Sequence, residues 1–144
     1  MSDAQVVGLV EKYDSAPLEC DGLTRVLHTV LVRHHIAHTV KIGRVEWNDK
    51  HFSPHFWIEL PGGKVVDYRL RMWLGPRAPH GVFDPAKAGV IYEGRMANLS
   101  VLTDFLFGVL TGTDPRIARI AAQIAAHRLS VWDFGDLYRI VFNR

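Results

Sequence analysis

The sequence predicts an α+β fold, in which a helix that bears the single cysteine packs on a three- to four-stranded antiparallel sheet, and further helices follow. Apolar residues recur at helical spacing directly after Cys20. Alternating residues then flank the pair Gly62 and Gly63, a pattern that indicates a β-hairpin. The chain returns to helical spacing after about Ser100. Elements in this order are typical of the α+β class.

The composition indicates one domain spanning residues 1–144, with a core at about 17–74 and a helical part at about 97–144. A chain of 144 residues buries a sizeable core without metals or disulfides. The net charge of +2 favours neither a nucleic-acid nor a membrane partner. The N-terminus lacks a signal-peptide pattern, and no apolar run approaches the roughly 20 residues that span a bilayer. We therefore expect a soluble, cytoplasmic protein, and nothing in the sequence indicates an oligomeric state.

The first strong helix is expected to begin at Cys20. Before it, residues 6–10 predict a strand or short helix, and a loop ends at Pro17. Glu19 and Asp21 place acidic groups near the first turn, as helix starts prefer. The inward face carries five apolar residues, Leu23, Val26, Leu27, Val30 and Leu31. The thiol therefore lies near a helix N-terminus, on the buried side.

The helix is expected to end at Arg33, and three antiparallel strands follow. The first spans 39–47, where Gly43 marks a bulge, and a turn at 48–50 leads into the hairpin. The second arm of the hairpin is expected to continue through residues 69–74. This gives the sheet three strands after one helix.

The register of the hairpin follows from a three-residue loop at 61–63. Ile58 then faces Val66, and one face of the hairpin is almost wholly apolar and meets the core. The opposite face carries His55, Trp57, Glu59, Val65 and Asp67. His55 lies diagonally from Asp67, and diagonal neighbours have Cα atoms roughly 7–8 Å apart. An imidazole and a carboxylate are thus expected to meet.

The rest of the chain is predicted to be a loop, an edge strand and three helices. Residues 75–81 form the loop, and residues 90–93 are able to add a fourth strand. The first helix spans about 100–110, the second begins near Pro115, and the third begins at the capping signature at 130–133. The second helix carries an apolar stripe formed by Ile117, Ile120 and Ile124.

The lone cysteine cannot form an intrachain disulfide, so it is a packed thiol, a ligand or a nucleophile. A thiolate, not a thiol, attacks carbonyl carbon, and a helix N-terminus or a histidine favours the thiolate. His55 is able to take the proton of Cys20, while Asp67 holds the imidazole tautomer. These three residues predict a catalytic triad.

The ordered motifs resemble those of the transglutaminase-like cysteine-protease superfamily. Residues 19–23, ECDGL, are similar to the nucleophile block, and residues 55–59, HFWIE, fit the pattern H-x-W-aliphatic-E. Residues 66–68, VDY, fit the strand that bears the family's aspartate. The helix end at 33–38 takes the place of the family's R-x-x-G-I-P-A-R corner without its glycine and proline. The resemblance spans about residues 17–68 and implies a papain-like fold.

The resemblance implies acyl transfer through a thioester on Cys20, with a peptide or protein substrate and no cofactor or metal. Among the reactions that this triad could catalyse, hydrolysis of an amide bond is the first expectation. The alternatives are acyl transfer to an amine, transamidation and deamidation. The amide N–H of Cys20 is one half of an oxyanion hole, and Trp57 and Glu19 are candidates for the substrate or oxyanion contacts. A non-catalytic binding module on the same scaffold, with an inert thiol, is the alternative from another class.

Each candidate functional residue also has an interpretation in which it serves only the structure. His55 is alternatively a hydrogen-bonded strand histidine, and Asp67 a partner of Arg69 or Arg44. Three arginines, Arg69, Arg71 and Arg77, are either a basic rim or a solvated strand face. His34 and His38 share one face of a continuing helix and suggest a metal site, but helix ends commonly carry histidine.

Overall fold

A computed structural model describes residues 2–116 and 119 of the chain. The described residues contain helices and an antiparallel sheet, so the α+β class is confirmed. The helices are α1 (Asp3–Val10), α2 (Cys20–Arg33), α3 (Leu70–Leu74), α4 (Pro85–Ala88) and α5 (Asp104–Thr111), with a 3-10 turn at Glu11–Tyr13. The strands are β1 (Thr39–Trp47), β2 (Lys50–Glu59), β3 (Val65–Asp67), β4 (Gly81–Phe83) and β5 (Val90–Met96).

The sheet has five strands in the order β4-β3-β2-β1-β5, and every neighbouring pair is antiparallel. The predicted edge strand after residue 90 is confirmed as β5. The prediction of three to four strands is too low, because a further strand, β4, begins at Gly81, the last residue of the predicted loop. A three-residue strand is too short to show an alternating pattern, and its pairing with β3 defines it.

The predicted register of the β2–β3 hairpin is confirmed. Ile58 pairs with Val66. Gly62 and Gly63 both have φ of 93°, a backbone conformation that glycine adopts without steric cost. His55, Trp57 and Asp67 therefore share the face predicted for them.

The second arm of the hairpin is shorter than predicted. β3 ends at Asp67, and α3 replaces the strand expected through Leu74. Leu70, Met72 and Leu74 read as an alternating strand in the sequence, but Leu70 and Leu74 are buried while Met72 is half-exposed. Burial at a spacing of four residues is that of a helix, which the same apolar residues also satisfy.

The core lies between α2 and the apolar face of the sheet. Each of the five apolar residues predicted on the inward face of α2 is buried. The main cluster is formed by Val6, Val10, Leu23, Leu27, Val30, Leu31, Ile36, Val40, Ile58, Leu60, Val66 and Tyr68. Fully burying one such aliphatic side chain contributes roughly 1.5–3 kcal/mol. The sheet therefore has a fixed position relative to the N-terminus of α2.

A second apolar cluster contains Val45, Leu70, Leu74, Ala78 and Val90. The β1–β2 register shifts between Gly43 and Val45, which confirms the predicted irregularity at Gly43. Gly43 pairs with His55 and Val45 pairs with Phe52, so β2 carries one residue more than β1 at this point. The extra residue lets Phe52 and His55 approach on the same side of the sheet.

The C-terminal part begins with α5, which starts at Asp104 rather than at the predicted Ser100. The hydroxyl of Thr103 accepts a hydrogen bond from the amide of Leu106 and caps this helix. The predicted second and third helices, including the Ile117, Ile120 and Ile124 stripe, lie outside the described residues. Among the described helices, none has the length and apolar character that a bilayer span requires.

Candidate active site

The centre of the candidate site is a buried hydrogen bond between two strands. His55 Nε2 lies 2.7 Å from Asp67 Oδ2. The imidazole of His55 has no exposed surface, and Asp67 is buried at the end of β3. The diagonal contact predicted from the hairpin register is therefore present. Because Nε2 faces a carboxylate, Nε2 carries a proton and donates a hydrogen bond to Asp67.

The carboxylate of Asp67 accepts two further hydrogen bonds. The hydroxyl of Tyr92 donates to Oδ2 over 2.8 Å, and the amide N–H of Arg69 donates to Oδ1 over 3.1 Å. Burial and the adjacent charge of Asp67 raise the pKa of Tyr92 strongly, which keeps its hydroxyl protonated and donating. Three donors hold the carboxylate in one orientation, and the carboxylate in turn orients the ring of His55.

The other nitrogen of the ring faces no bonded partner, and Cys20 is nearby. Nδ1 of His55 is buried and makes no hydrogen bond in the part of the chain that the structure describes. The side chain of Cys20 is close enough to the ring to affect its pKa. Burial lowers the pKa of His55, but the hydrogen bond to Asp67, the side chain of Cys20 and the charges of both outweigh it and raise the pKa to about 9. The ring is therefore an imidazolium at neutral pH.

The position of Cys20 follows from the start of α2. Glu19 is the extended N-cap residue, and Cys20 is the first helical residue. Amide N–H groups in the first turn have no partner within the helix, and the helix dipole places positive potential there. An anion on the sulfur of Cys20, or on an oxygen beside it, is stabilised at this point. The side chain of Glu19 is exposed and makes no capping hydrogen bond, and its role as a substrate or oxyanion contact stays a prediction.

Trp57 forms a wall beside the imidazole. Its ring is nearly parallel to that of His55, with centroids 6.2 Å apart, and its centroid lies 4.7 Å from that of Tyr92. A Cβ at Gly94 would lie 2.6 Å from Cη2 of Trp57, so glycine at this position of β5 leaves room for the indole. The indole N–H is buried and makes no hydrogen bond within the described ranges. Its role as a donor to substrate stays a prediction.

Aromatic rings also close the other side of His55. The rings of Phe52 and His55 meet edge-on at 6.3 Å, and Phe52 stacks on Trp73 at 4.0 Å. Water is kept from the imidazole by these contacts. A hydrogen bond between charged groups is stronger in such an environment than in water.

The histidines predicted as an alternative metal site are arranged otherwise. His34 is the C-cap residue of α2, whereas His38 Nε2 lies 2.7 Å from His28 Nδ1. The other nitrogen of His38 is bonded to the carbonyl of Ile36. Among residues 2–116 and 119, no group of three or more potential ligand side chains could hold a metal ion.

Both interpretations of the three arginines, a basic rim and a solvated strand face, are wrong for Arg69. Its side chain is only 8% exposed and hydrogen-bonds to the segment before α2. Arg71 is exposed and donates to the carbonyl of Ala78, and Arg77 is exposed. The three arginines therefore do not form one surface. The pairing of Asp67 with Arg69 is present, but through the backbone amide of Arg69 rather than its guanidinium.

Replacing Tyr92 by phenylalanine tests the hydroxyl that the sequence analysis did not identify. The substitution removes one of three donors to Asp67 and keeps the ring that packs on Trp57. A hydrogen bond to a charged group contributes about 2 kcal/mol, and we expect the free energy of unfolding in urea to fall by about that amount. Tyr13→Phe is the control, because the hydroxyl of Tyr13 has no hydrogen bond recorded among the described residues. An equal loss in both variants would contradict the assignment.

The chain matches no protein-family model, no curated protein and no solved structure. A function for the chain therefore rests on the chemistry of Cys20, His55 and Asp67.

Proposed function

We propose that this protein is a cysteine-dependent hydrolase that cleaves an amide bond of a peptide or protein, on a papain-like arrangement similar to that of transglutaminase-like cysteine proteases. Cys20 is the nucleophile, His55 the acid and base, and Asp67 the residue that orients the imidazole. One observation carries the proposal. The buried imidazole is bonded to a carboxylate through Nε2, its Nδ1 is left unbonded, and the chain's only cysteine is near enough to raise its pKa.

The first half of the reaction forms a thioester. The thiolate of Cys20 attacks the carbonyl carbon of the amide, and the oxyanion that develops is stabilised by the Cys20 amide N–H at the start of α2. The C–N bond breaks as the imidazolium of His55 transfers its Nδ1 proton to the leaving nitrogen. An amine is released, and the acyl group stays on sulfur. Asp67 keeps the neutral ring protonated at Nε2, so Nδ1 is the free base for the next step.

The second half hydrolyses the thioester. Nδ1 of His55 takes a proton from water as the oxygen attacks the thioester carbon. The C–S bond breaks, the carboxylic acid leaves, and the thiolate and imidazolium are restored. An amine in place of water would give transamidation, and a substrate side-chain amide would give deamidation with release of ammonia. The same residues serve all three reactions.

A second candidate function follows from the burial of the site. Cys20 is 6% exposed and His55 has no exposed surface. Burial of this degree favours a non-catalytic binding module in which the thiol is a structural group. In that case Cys20→Ala leaves the binding activity of the protein unchanged, whereas it abolishes the hydrolase.

The pH dependence of alkylation by iodoacetamide tests the proposed hydrolase. Because the pKa of His55 is about 9, the ring stays an imidazolium from pH 6 to pH 8. The proposed mechanism requires the sulfur of Cys20 to be a thiolate paired with it over the same range. We expect the alkylation rate to change by less than about threefold over this range and the imidazolium to lose its proton only near pH 9. Mass spectrometry of the intact protein gives the rate directly, since Cys20 is the only cysteine.

The shape of the pH profile decides the outcome rather than the absolute rate, because burial slows the reaction at every pH. Below a pKa of about 8.5, the reaction rate of an unpaired thiol rises roughly tenfold for each unit by which the pH increases. Such a rise between pH 6 and pH 8 would show that Cys20 is not paired with the imidazolium. Cys20→Ser is the control and takes up no label.

A further inference from the structure

Arg69 is the most extensively bonded side chain at the edge of the site. Its five N–H groups find five acceptors, which is the full donor capacity of a guanidinium. Nε donates to the carbonyl of Leu18, and Nη1 donates to Asp14 Oδ1 and to the carbonyl of Tyr68. Nη2 donates to the carbonyls of Asp14 and Ala16. The distances lie between 2.6 and 2.9 Å.

Four of these five hydrogen bonds reach the segment 14–18, which leads directly into the nucleophile. One residue, Glu19, separates Leu18 from Cys20. The segment lies between the 3-10 turn and α2 and belongs to no helix or strand. Its path therefore depends on such side-chain contacts, and the path sets where α2 begins.

The backbone of Arg69 contacts the other end of the triad. Its amide N–H donates to Asp67 Oδ1. One residue thus joins the carboxylate that orients His55 to the segment that carries Cys20. The distance between the sulfur of Cys20 and the imidazole of His55 depends on the position of the Asp67 carboxylate and on that of the segment 14–18.

Asp14 is held from a second side. His80 Nε2 lies 2.8 Å from Asp14 Oδ2, while Arg69 occupies Oδ1. The ring of His80 meets that of Tyr68 edge-on at 5.1 Å, directly before β4 begins. The carboxylate of Asp14 is therefore held by two residues outside its own segment, Arg69 after β3 and His80 before β4.

We propose that Arg69 is a positioning residue for the nucleophile, whose guanidinium fixes the segment 14–18 so that the sulfur of Cys20 meets Nδ1 of His55. The proposal rests on the proposed function. An ion pair that only stabilised the fold would need no acceptor besides the carboxylate of Asp14. Here three of the five acceptors of Arg69 are backbone carbonyls of the segment 14–18, so the guanidinium fixes the path of the backbone. The planar fork of arginine matches this set of acceptors, and the single ammonium of lysine cannot reach all of them.

Arg69→Lys and Asp14→Asn test the proposal, with Arg77→Lys as the matched control. Arg77 is exposed and has no hydrogen bond recorded in the described part of the chain. The readout is the pH profile of Cys20 alkylation, measured on protein whose folding is checked by circular dichroism. Wild type and Arg77→Lys are expected to keep a flat profile from pH 6 to pH 8. Arg69→Lys is expected to show a rise approaching tenfold per pH unit, as for an unpaired thiol.

Asp14→Asn keeps the size of the side chain and removes the charge that Arg69 and His80 share, so it provides a test if Arg69→Lys does not fold. It is expected to steepen the profile in the same direction. A flat profile in a folded variant would overturn the positioning role, even if the variant unfolds at a lower urea concentration. A steep profile in the wild type would instead overturn the proposed function, and the positioning role with it.

Discussion

Replacing His55 by glutamine is expected to slow the alkylation of Cys20 at pH 6.5 by about a hundredfold. Glutamine is close in volume to histidine and can bond to Asp67, but it carries no positive charge. The sulfur then loses the nearby imidazolium with which the proposal pairs it. An ordinary thiol with a pKa of about 8.5 is only about 1% ionised at pH 6.5, and the thiolate is the reactive species. Intact-mass measurement of iodoacetamide labelling gives both rates.

The control for this variant is His51→Gln, which makes the same change at an exposed position of β2. Its labelling rate is expected to equal that of wild type. At pH 10 the His55→Gln and wild-type rates are expected to converge, because any thiol is then ionised. A difference that persists at pH 10 would mean that the substitution changes access to Cys20. Equal rates at pH 6.5 would contradict the pairing of Cys20 with His55.

Local sequence patterns were enough to predict the central part of the site. The bounds of α2 and β1 follow from apolar spacing, and the hairpin register follows from its turn glycines. His55 and Asp67 lie on the two arms of one hairpin, twelve residues apart. Their contact is therefore decided by a single local register, which the alternation of apolar residues specifies.

Contacts that depend on the order of the strands could not be predicted in this way. Tyr92 lies on β5, which pairs with β1 and not with the hairpin, and still reaches Asp67. Only the assembled sheet places it there. Gly94 in the same strand was the available signal, since a glycine inside a strand often marks a close approach of a neighbouring group, here Trp57.

Arg69 was misjudged for a related reason. As a member of an expected solvated strand it would point to solvent, whereas four of its five acceptors lie about fifty residues earlier in the chain. The segment 14–18 has no periodicity that would predict where it runs. Burial of an arginine becomes favourable only when all its donors are satisfied, and here that requires the tertiary fold.

Asp67→Asn is expected to lower the free energy of unfolding by about 3–5 kcal/mol, because it breaks a buried pair and leaves the donors of His55 and Tyr92 competing for one amide oxygen. The control is Asp49→Asn, in an exposed turn at φ of 62° that asparagine tolerates, and it is expected to change stability by less than about 0.5 kcal/mol. Urea unfolding measures both. A loss below about 1 kcal/mol for Asp67→Asn would mean that the carboxylate is not the anchor of the imidazole.

The same variant is expected to lose the flat alkylation profile, since without the carboxylate His55 no longer stays an imidazolium up to about pH 9.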